Sequence, residues 1–172
     1  MRDLSMFEND SFDIVWHAWS LNFVPDVAPV FDEVGRVIRP NGLYHLGWGN
    51  PFAVAMEVSD WTDKGYQIRQ IYADAEIIYN DDQYWEFADT DGNVCLVANP
   101  REFNHTLSTV VNGLIQREFQ ILGIWENEMG DTDASPGSWE HLKVVFPHQD
   151  GVTIFRDKVI SVRGFDLPLI PH

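Results

Sequence analysis

Apolar residues fall along this chain in two rhythms. From Phe12 to Trp19 they run almost unbroken (Phe-Asp-Ile-Val-Trp-His-Ala-Trp), too compactly for a helix, and the centre, Ile14-Val15-Trp16, has no polar alternation. Such a run predicts a strand covered on both faces, as parallel strands in α/β sheets are. After the start signal Pro25-Asp26 the rhythm changes: Val27, Val30, Phe31, Val34, Val37 and Ile38 recur at steps of three and four, which predicts an amphipathic helix. The helix stops at Arg39-Pro40-Asn41-Gly42, where a cation near the negative helix end, a proline and an Asn-Gly turn follow one another. Leu43 to Trp48 is the next strand, so strand, helix and strand form one parallel, right-handed crossover.

From about residue 50 to residue 100 the pattern loosens, with aromatics scattered among acids and turn signals at Asn80-Asp81-Asp82 and Asp89-Thr90-Asp91-Gly92. Alternation over Tyr84, Trp85, Glu86 and Phe87, then Asp91-Gly92, then Val94 to Val97, predicts a hairpin inside an inserted cap or lid. Leu107, Val110, Val111, Leu114 and Ile115 mark a second amphipathic helix, with Asn104, His105 and Thr106 as candidate N-caps. Phe119 to Glu126 reads as a third strand, Asn127 to Gly137 as an acidic loop and Ser138 to Val145 as a short helix. Val152 to Phe155 reads as a final strand suited to antiparallel pairing with the third, and Arg163 to His172 has no period.

Composition narrows the class. With 172 residues, 45% of them apolar, the chain is one domain's worth and can bury roughly two-thirds of its unfolded surface. Eleven Lys and Arg against 27 Asp and Glu give a net charge of −16, which argues against nucleic acid or an anionic membrane as partner. Cys95 is the single cysteine, so no disulfide forms within one chain. Neither a signal-peptide run nor a stretch of roughly 20 apolar residues occurs, and a soluble, cytoplasmic protein is expected. Phosphate loops, His-Glu-x-x-His, Cys-x-x-Cys and Gly-x-Ser-x-Gly are absent, and the six histidines match no zinc spacing, so metal and hydrolase chemistry find no motif here.

Three stretches then carry a resemblance: Met1-Arg2-Asp3-Leu4 to Ser11-Phe12-Asp13-Ile14-Val15; Leu21-Asn22-Phe23-Val24-Pro25-Asp26; and Glu33-Val34-Gly35-Arg36-Val37-Ile38-Arg39-Pro40-Asn41-Gly42-Leu43. Together they resemble the middle of a class I S-adenosylmethionine-dependent methyltransferase. Phe103 to Leu107, Gly113 to Ile115, Phe119 to Leu122 and Ser138-Trp139-Glu140-His141-Leu142 are similar to later parts of that family. The resemblance implies an α/β fold: a partial Rossmann-like sheet, mostly parallel with an antiparallel last strand, flanked by helices and carrying the inserted cap, all as a single partial domain over residues 1–172. The family's Gly-rich first turn and its ribose-binding acid have no counterpart here. By resemblance the chain is therefore a C-terminal portion, with family strands four, five, seven and six present and strands one to three missing. A strand central in the family then becomes an edge, which leads us to expect self-association or pairing with a missing N-terminal half.

The implied activity is methyl transfer from S-adenosylmethionine to a small-molecule acceptor. The alternative is a non-catalytic module that pairs with another chain through the exposed edge. By resemblance Met1, Arg2, Asp3 and Leu4 form the loop touching adenine, and Trp16 and His17 lie near the cofactor, with Trp19 beside them. Asn22 is the implied substrate-facing polar residue, and Trp48 and Asn50, at a strand's carboxyl edge, are placed for substrate contact. Each has a structural reading as well: terminus, core, turn or helix cap. Tyr84, Trp85 and Phe87 suit either an aromatic wall over the acceptor or a small core of the cap. In-line methyl transfer gains most from alignment in a dry pocket and needs no dedicated catalytic side chain. Where the acceptor must lose a proton, His17 and His45 are the candidate bases.

Overall fold

A computed structural model describes residues 1–18, 20–52, 56–78, 84–126, 131–145 and 152–158. Strand β1 (Phe12–His17) leads through a 3-10 turn at Leu21–Phe23 into helix α1 (Ala28–Val37). Asp26 Oδ1 accepts the Ala28 N–H at 2.9 Å, and Pro29 sits in the first turn, so the helix opens where the sequence predicts. Val30, Phe31, Val34 and Val37 form its buried stripe. At Ile38 the backbone turns extended and β2 (Ile38–Trp48) begins at once.

That start corrects the expected strand boundary at Leu43. The β1–β2 register jumps from Phe12↔Ile38 to Ile14↔Leu43, so Arg39 to Gly42 bulge out of a continuous strand. Asn41 adopts φ 62°, the left-handed region an Asn tolerates. A β-carbon on Gly42 would lie 2.9 Å from both the Asp13 and Arg39 carbonyl oxygens, so the bulge demands glycine. Arg39 is drawn away from the helix end to Asp13, 2.6 Å distant, and Arg36 is the cation of the last helical turn.

The main sheet has the order β1-β2-β10-β9, with β9 at Phe119–Glu126 and β10 at Val152–Lys158. β1 and β2 are parallel, pairing Val15 with Tyr44 and His17 with Leu46. β10 runs antiparallel to both neighbours, with Phe155 opposite His45 on one side and Ile154 opposite Ile124 on the other. The final strand therefore pairs with the third as expected, extends three residues further, and lies between β2 and β9.

Helices α1 and α2 (Leu107–Ile115) close one core with the sheet: Leu21, Val30, Phe31, Val34, Ile38, Tyr44, Leu46, Trp48, Val110, Leu114 and Phe119 are all buried together. Thr106 caps α2, accepting the Thr109 N–H at 3.2 Å. The opposite face of the sheet corrects the reading of β1 as doubly covered: Ile14 is 63% and Trp16 67% exposed, and Leu43 is exposed beside them. Among the described residues β1 has a neighbouring strand on one side only.

The insertion between β2 and α2 is a set of small antiparallel pairs. These are β3 (Trp61–Thr62) with β4 (Gly65–Tyr66), β5 (Ile77–Ile78) with β8 (Glu102–Phe103), and β6 (Tyr84–Ala88) with β7 (Val94–Ala98). A satellite core joins Met56 to Leu142 of α3 (Trp139–Val145), with Val58 and Tyr66 packed against it. The β6–β7 hairpin falls where alternation predicts it, but Tyr84, Trp85 and Phe87 are exposed, so they do not fill a core of the cap among the described residues. The turn at Asn80–Asp82, Trp19, residues 127–130 of the acidic loop and the tail from Arg163 lie outside the described residues. No helix among those described is long and apolar enough to cross a membrane.

Candidate functional site

In open α/β sheets ligands bind beyond the carboxyl ends of parallel strands, which here are the ends of β1 and β2. Strand alternation places Val15 and His17 on the helix-covered face with Tyr44, Leu46 and Trp48, and puts Ile14, Trp16, Leu43 and His45 on the open face. Trp16 and His17, adjacent in sequence and both expected at the cofactor, therefore project to opposite faces. Trp16 stacks on the His45 ring, centroids 3.6 Å apart and planes 13° from parallel.

His17 is the chemically distinctive residue of this edge. It is 6% exposed, and its Nδ1 lies 2.9 Å from the Tyr44 hydroxyl, a partner supplied by the β1–β2 register. Burial, aided by the positive amino terminus, pushes its pKa down to about 4, so the ring is neutral at physiological pH. Its Nε2 is buried and has no hydrogen-bond partner among the described residues. A neutral imidazole with one nitrogen fixed and the other open can accept or donate a hydrogen bond to a bound group, according to its tautomer. His45 is also shifted downward by burial, and it belongs to the open face.

Asn22, Asn50, Asn104, His105 and Thr106 are also buried polar residues. Asn22 Oδ1 accepts the Gly49 N–H at 3.3 Å, tying the segment after β1 to the end of β2. Asn50 Oδ1 accepts the Phe52 N–H at 3.0 Å and shapes the turn leaving β2. His105 Nε2 lies 3.2 Å from the Leu21 carbonyl oxygen, linking the entrance of α2 to the 3-10 turn. Both asparagines thus hold backbone at the strand ends. Trp48 lies inside the core, its buried Nε1 without a partner among the described residues.

Met1 to Leu4 form an irregular segment anchored by contacts that the sequence reading does not anticipate. Glu33 Oε2 accepts the Leu4 N–H at 2.7 Å, and Arg36 donates to the carbonyls of Leu4 and Phe7 and to Asn9 Oδ1, each at 2.9 Å. The guanidinium also makes two bonds of 2.9 Å to Glu33, and these, with the Leu4 N–H, hold the Glu33 carboxyl below its ordinary pKa. The readable signal was the acid–base pair three residues apart on a predicted helix. The Leu4 amide is thus held by Glu33 and the Ser5 amide by Asp3 Oδ1 (2.9 Å), so both backbone donors are engaged within the chain. Arg36→Gln should loosen residues 4–9, and hydrogen exchange at the Leu4 amide should become severalfold faster while core amides such as Leu46 keep their protection.

The strand order β1-β2-β10-β9, with β1 and β2 parallel, β10 antiparallel to both its neighbours and helices on one face, defines an open α/β sheet. The sequence family described as a methyltransferase domain matches residues 1–46. The chain is similar to the Uncharacterized methyltransferase YbaJ of Bacillus subtilis (strain 168), 29% identical over 132 residues that make up 76% of this chain and 49% of that protein. Among solved structures it resembles a putative S-adenosylmethionine dependent methyltransferase from Listeria monocytogenes, with TM-score 0.57, 15% identity and coverage of 91% of this chain and 65% of that one. It also resembles an S-adenosylmethionine dependent methyltransferase from Mesorhizobium loti, with TM-score 0.50, 17% identity and coverage of 88% and 64%. The chain therefore spans about half the length of the curated relative it matches.

Proposed function

We propose that this chain contributes the acceptor side and part of the cofactor side of a class I methyltransferase site that moves a methyl group from S-adenosylmethionine to a small-molecule acceptor. The observation that carries this reading is the β1-β2-β10-β9 order with antiparallel β10, joined to the methyltransferase-domain match over residues 1–46. When bound, S-adenosylmethionine supplies an electrophilic methyl group on a sulfonium centre. Two features suit such a ligand at the carboxyl edge: the Ser20 hydroxyl just past β1 donates to the Met1 sulfur at 3.1 Å, and the open Nε2 of His17 stands at the end of the strand.

The chain's own groups then act by placement. Glu33 and Arg36 fix the loop, Asn22 and Asn50 fix the ends of the parallel strands, and the apolar core behind His17 keeps water from its ring. A neutral His17, in the tautomer whose Nδ1–H donates to the Tyr44 oxygen, presents Nε2 as a hydrogen-bond acceptor toward an acceptor hydroxyl or amine. The edge of β1 that no strand meets among the described residues, and the greater length of the relatives, support a second element of the proposal: further polypeptide, in the same chain or another, pairs with β1 and completes the pocket.

Titration of residues 1–172 with S-adenosylhomocysteine, followed by amide chemical shifts, tests both elements. Binding weaker than micromolar, with shifts concentrated at Asp3, Leu4 and His17, is expected. Shifts scattered away from the β1 edge, or none at millimolar ligand, would remove the cofactor assignment. Micromolar affinity of these residues alone would remove the incomplete pocket.

A further inference from the structure

The β6–β7 hairpin stands apart from both cores, and the observations about it extend beyond methyl transfer. Every residue of both strands is exposed, with Val94 at 64% and Leu96 at 58%, and its large apolar side chains appear on both faces. Two-stranded ribbons of this kind are marginal alone and gain stability when further strands join them. The ribbon has two outer edges, and they differ in charge. β6 carries Glu86 at its centre, so pairing β6 with another β6 brings carboxylates together. β7 is Val-Cys-Leu-Val-Ala, and no charged residue occurs from Gly92 to Pro100 in a chain of net charge −16. For two copies that otherwise repel each other, this is a stretch where backbones can meet without like charges face to face.

The hydrogen-bond phase of the hairpin favours the same edge. The Asp89 N–H donates to the Asn93 carbonyl at 3.0 Å beside the turn, and the register runs Ala88↔Val94, Phe87↔Cys95, Glu86↔Leu96. Antiparallel alternation then points the N–H and C=O groups of Val94, Leu96 and Ala98 away from β6. Among the described residues no strand meets them.

We propose that the outer edge of β7 pairs with the same edge of a second copy, antiparallel about a two-fold axis at Leu96, joining two hairpins into one four-stranded sheet. Leu96 then exchanges both backbone bonds with its counterpart, and Val94 does so with Ala98 of the other copy. One face of the joined sheet carries Trp85, Phe87, Cys95 and Val97 from each copy as a continuous apolar band. Because both copies are acidic, the association strengthens as salt rises.

Cross-linking and sedimentation of the 172-residue chain test the register. A hydrogen-bonded antiparallel pair sets its Cα atoms about 5.5 Å apart, within disulfide range. In a Cys95→Ser background, Leu96→Cys should therefore form a disulfide dimer rapidly under mild oxidation. Cys95 of the unmodified chain sits diagonal to its counterpart at about 7–8 Å and should react severalfold more slowly. Val94→Cys in the same Cys95→Ser background, four positions out of register with itself, should form no disulfide dimer. In sedimentation, unmodified protein should shift toward the dimer between about 0.05 M and 0.5 M salt, and Leu96→Lys, whose side chain replaces an exposed one, should abolish the shift. Equal cross-linking at positions 94, 95 and 96, or a salt-dependent dimer that survives Leu96→Lys, would overturn the proposed axis. A monomer at every salt concentration would overturn the pairing itself.

Discussion

Phe31→Ala is expected to destabilise the domain by about 3–5 kcal/mol, the range for removing a buried aromatic ring without refilling its space. Phe31 is fully buried at the meeting of α1, α2 and the sheet. A β-carbon on Gly113 of α2 would come within 3.1 Å of two atoms of its ring, so the second helix passes this side chain at close range. Little can collapse into the vacated volume, because the backbone of α2 is held at its entrance: Asp74 accepts the Thr106 N–H at 2.8 Å and the Thr109 hydroxyl at 2.7 Å. The effect extends to the site, because α1 also carries Glu33 and Arg36. Chemical denaturation should place the midpoint of Phe31→Ala far below that of the parent chain with little change in slope. A loss under 1 kcal/mol would mean that the core around α1 is looser than its burial implies.

The parts of this fold that could be read in the sequence are those whose residues record a strong local asymmetry. Val27, Val30, Phe31, Val34 and Val37 specify one buried stripe, and α1 lies where they put it. Thr106 is legible as a cap because its hydroxyl answers a helix-end amide three residues on. Ile14 and Trp16 misled for a related reason: their composition matches a strand covered on both sides, whereas coverage depends on which other elements reach that face. The two-residue pairs β3–β4 and β5–β8 are shorter than any period can register.

The site was legible in outline and obscure in its contacts. His17 could be picked out as a polar residue closing an apolar strand, but its Tyr44 partner, 27 residues away, follows from register alone. Trp48 reads as a rim residue from its place at a strand end, yet the even-numbered face of β2 points into the helices and takes it into the core. The clamp on residues 4–9 joins groups about 30 residues apart across a helix and a loop, a relation that no sequence window contains.

Between pH 6.5 and pH 4 the domain is expected to lose about 3 kcal/mol of stability through His17 alone. Above the unfolded value of 6.5 the ring is neutral in both states and contributes no pH dependence. Below it the unfolded chain takes up a proton while the folded ring, its pKa held down to about 4 by burial, does not, so acidification favours unfolding until the folded ring also titrates. His105, also lowered, first by burial and against the pull of the Leu21 and Val24 carbonyls, adds loss of the same sign. Carboxylates held down by partners, such as Glu33 beside Arg36, act in that direction only below about pH 5, where their unfolded forms begin to protonate. The upper part of the window therefore reports the histidines. Stability curves at half-unit pH steps should fall less steeply in this interval for His17→Gln than for the parent chain, with the two converging in slope above pH 7. The same depression bears on the proposed chemistry: a ring that stays neutral down to about pH 4 changes charge nowhere between pH 8 and pH 6, so His17 should add no inflection to the pH–rate profile of the proposed methyl transfer in that interval. If His17→Gln left the acid limb of the stability curve unchanged, the buried, neutral state of this ring would be wrong.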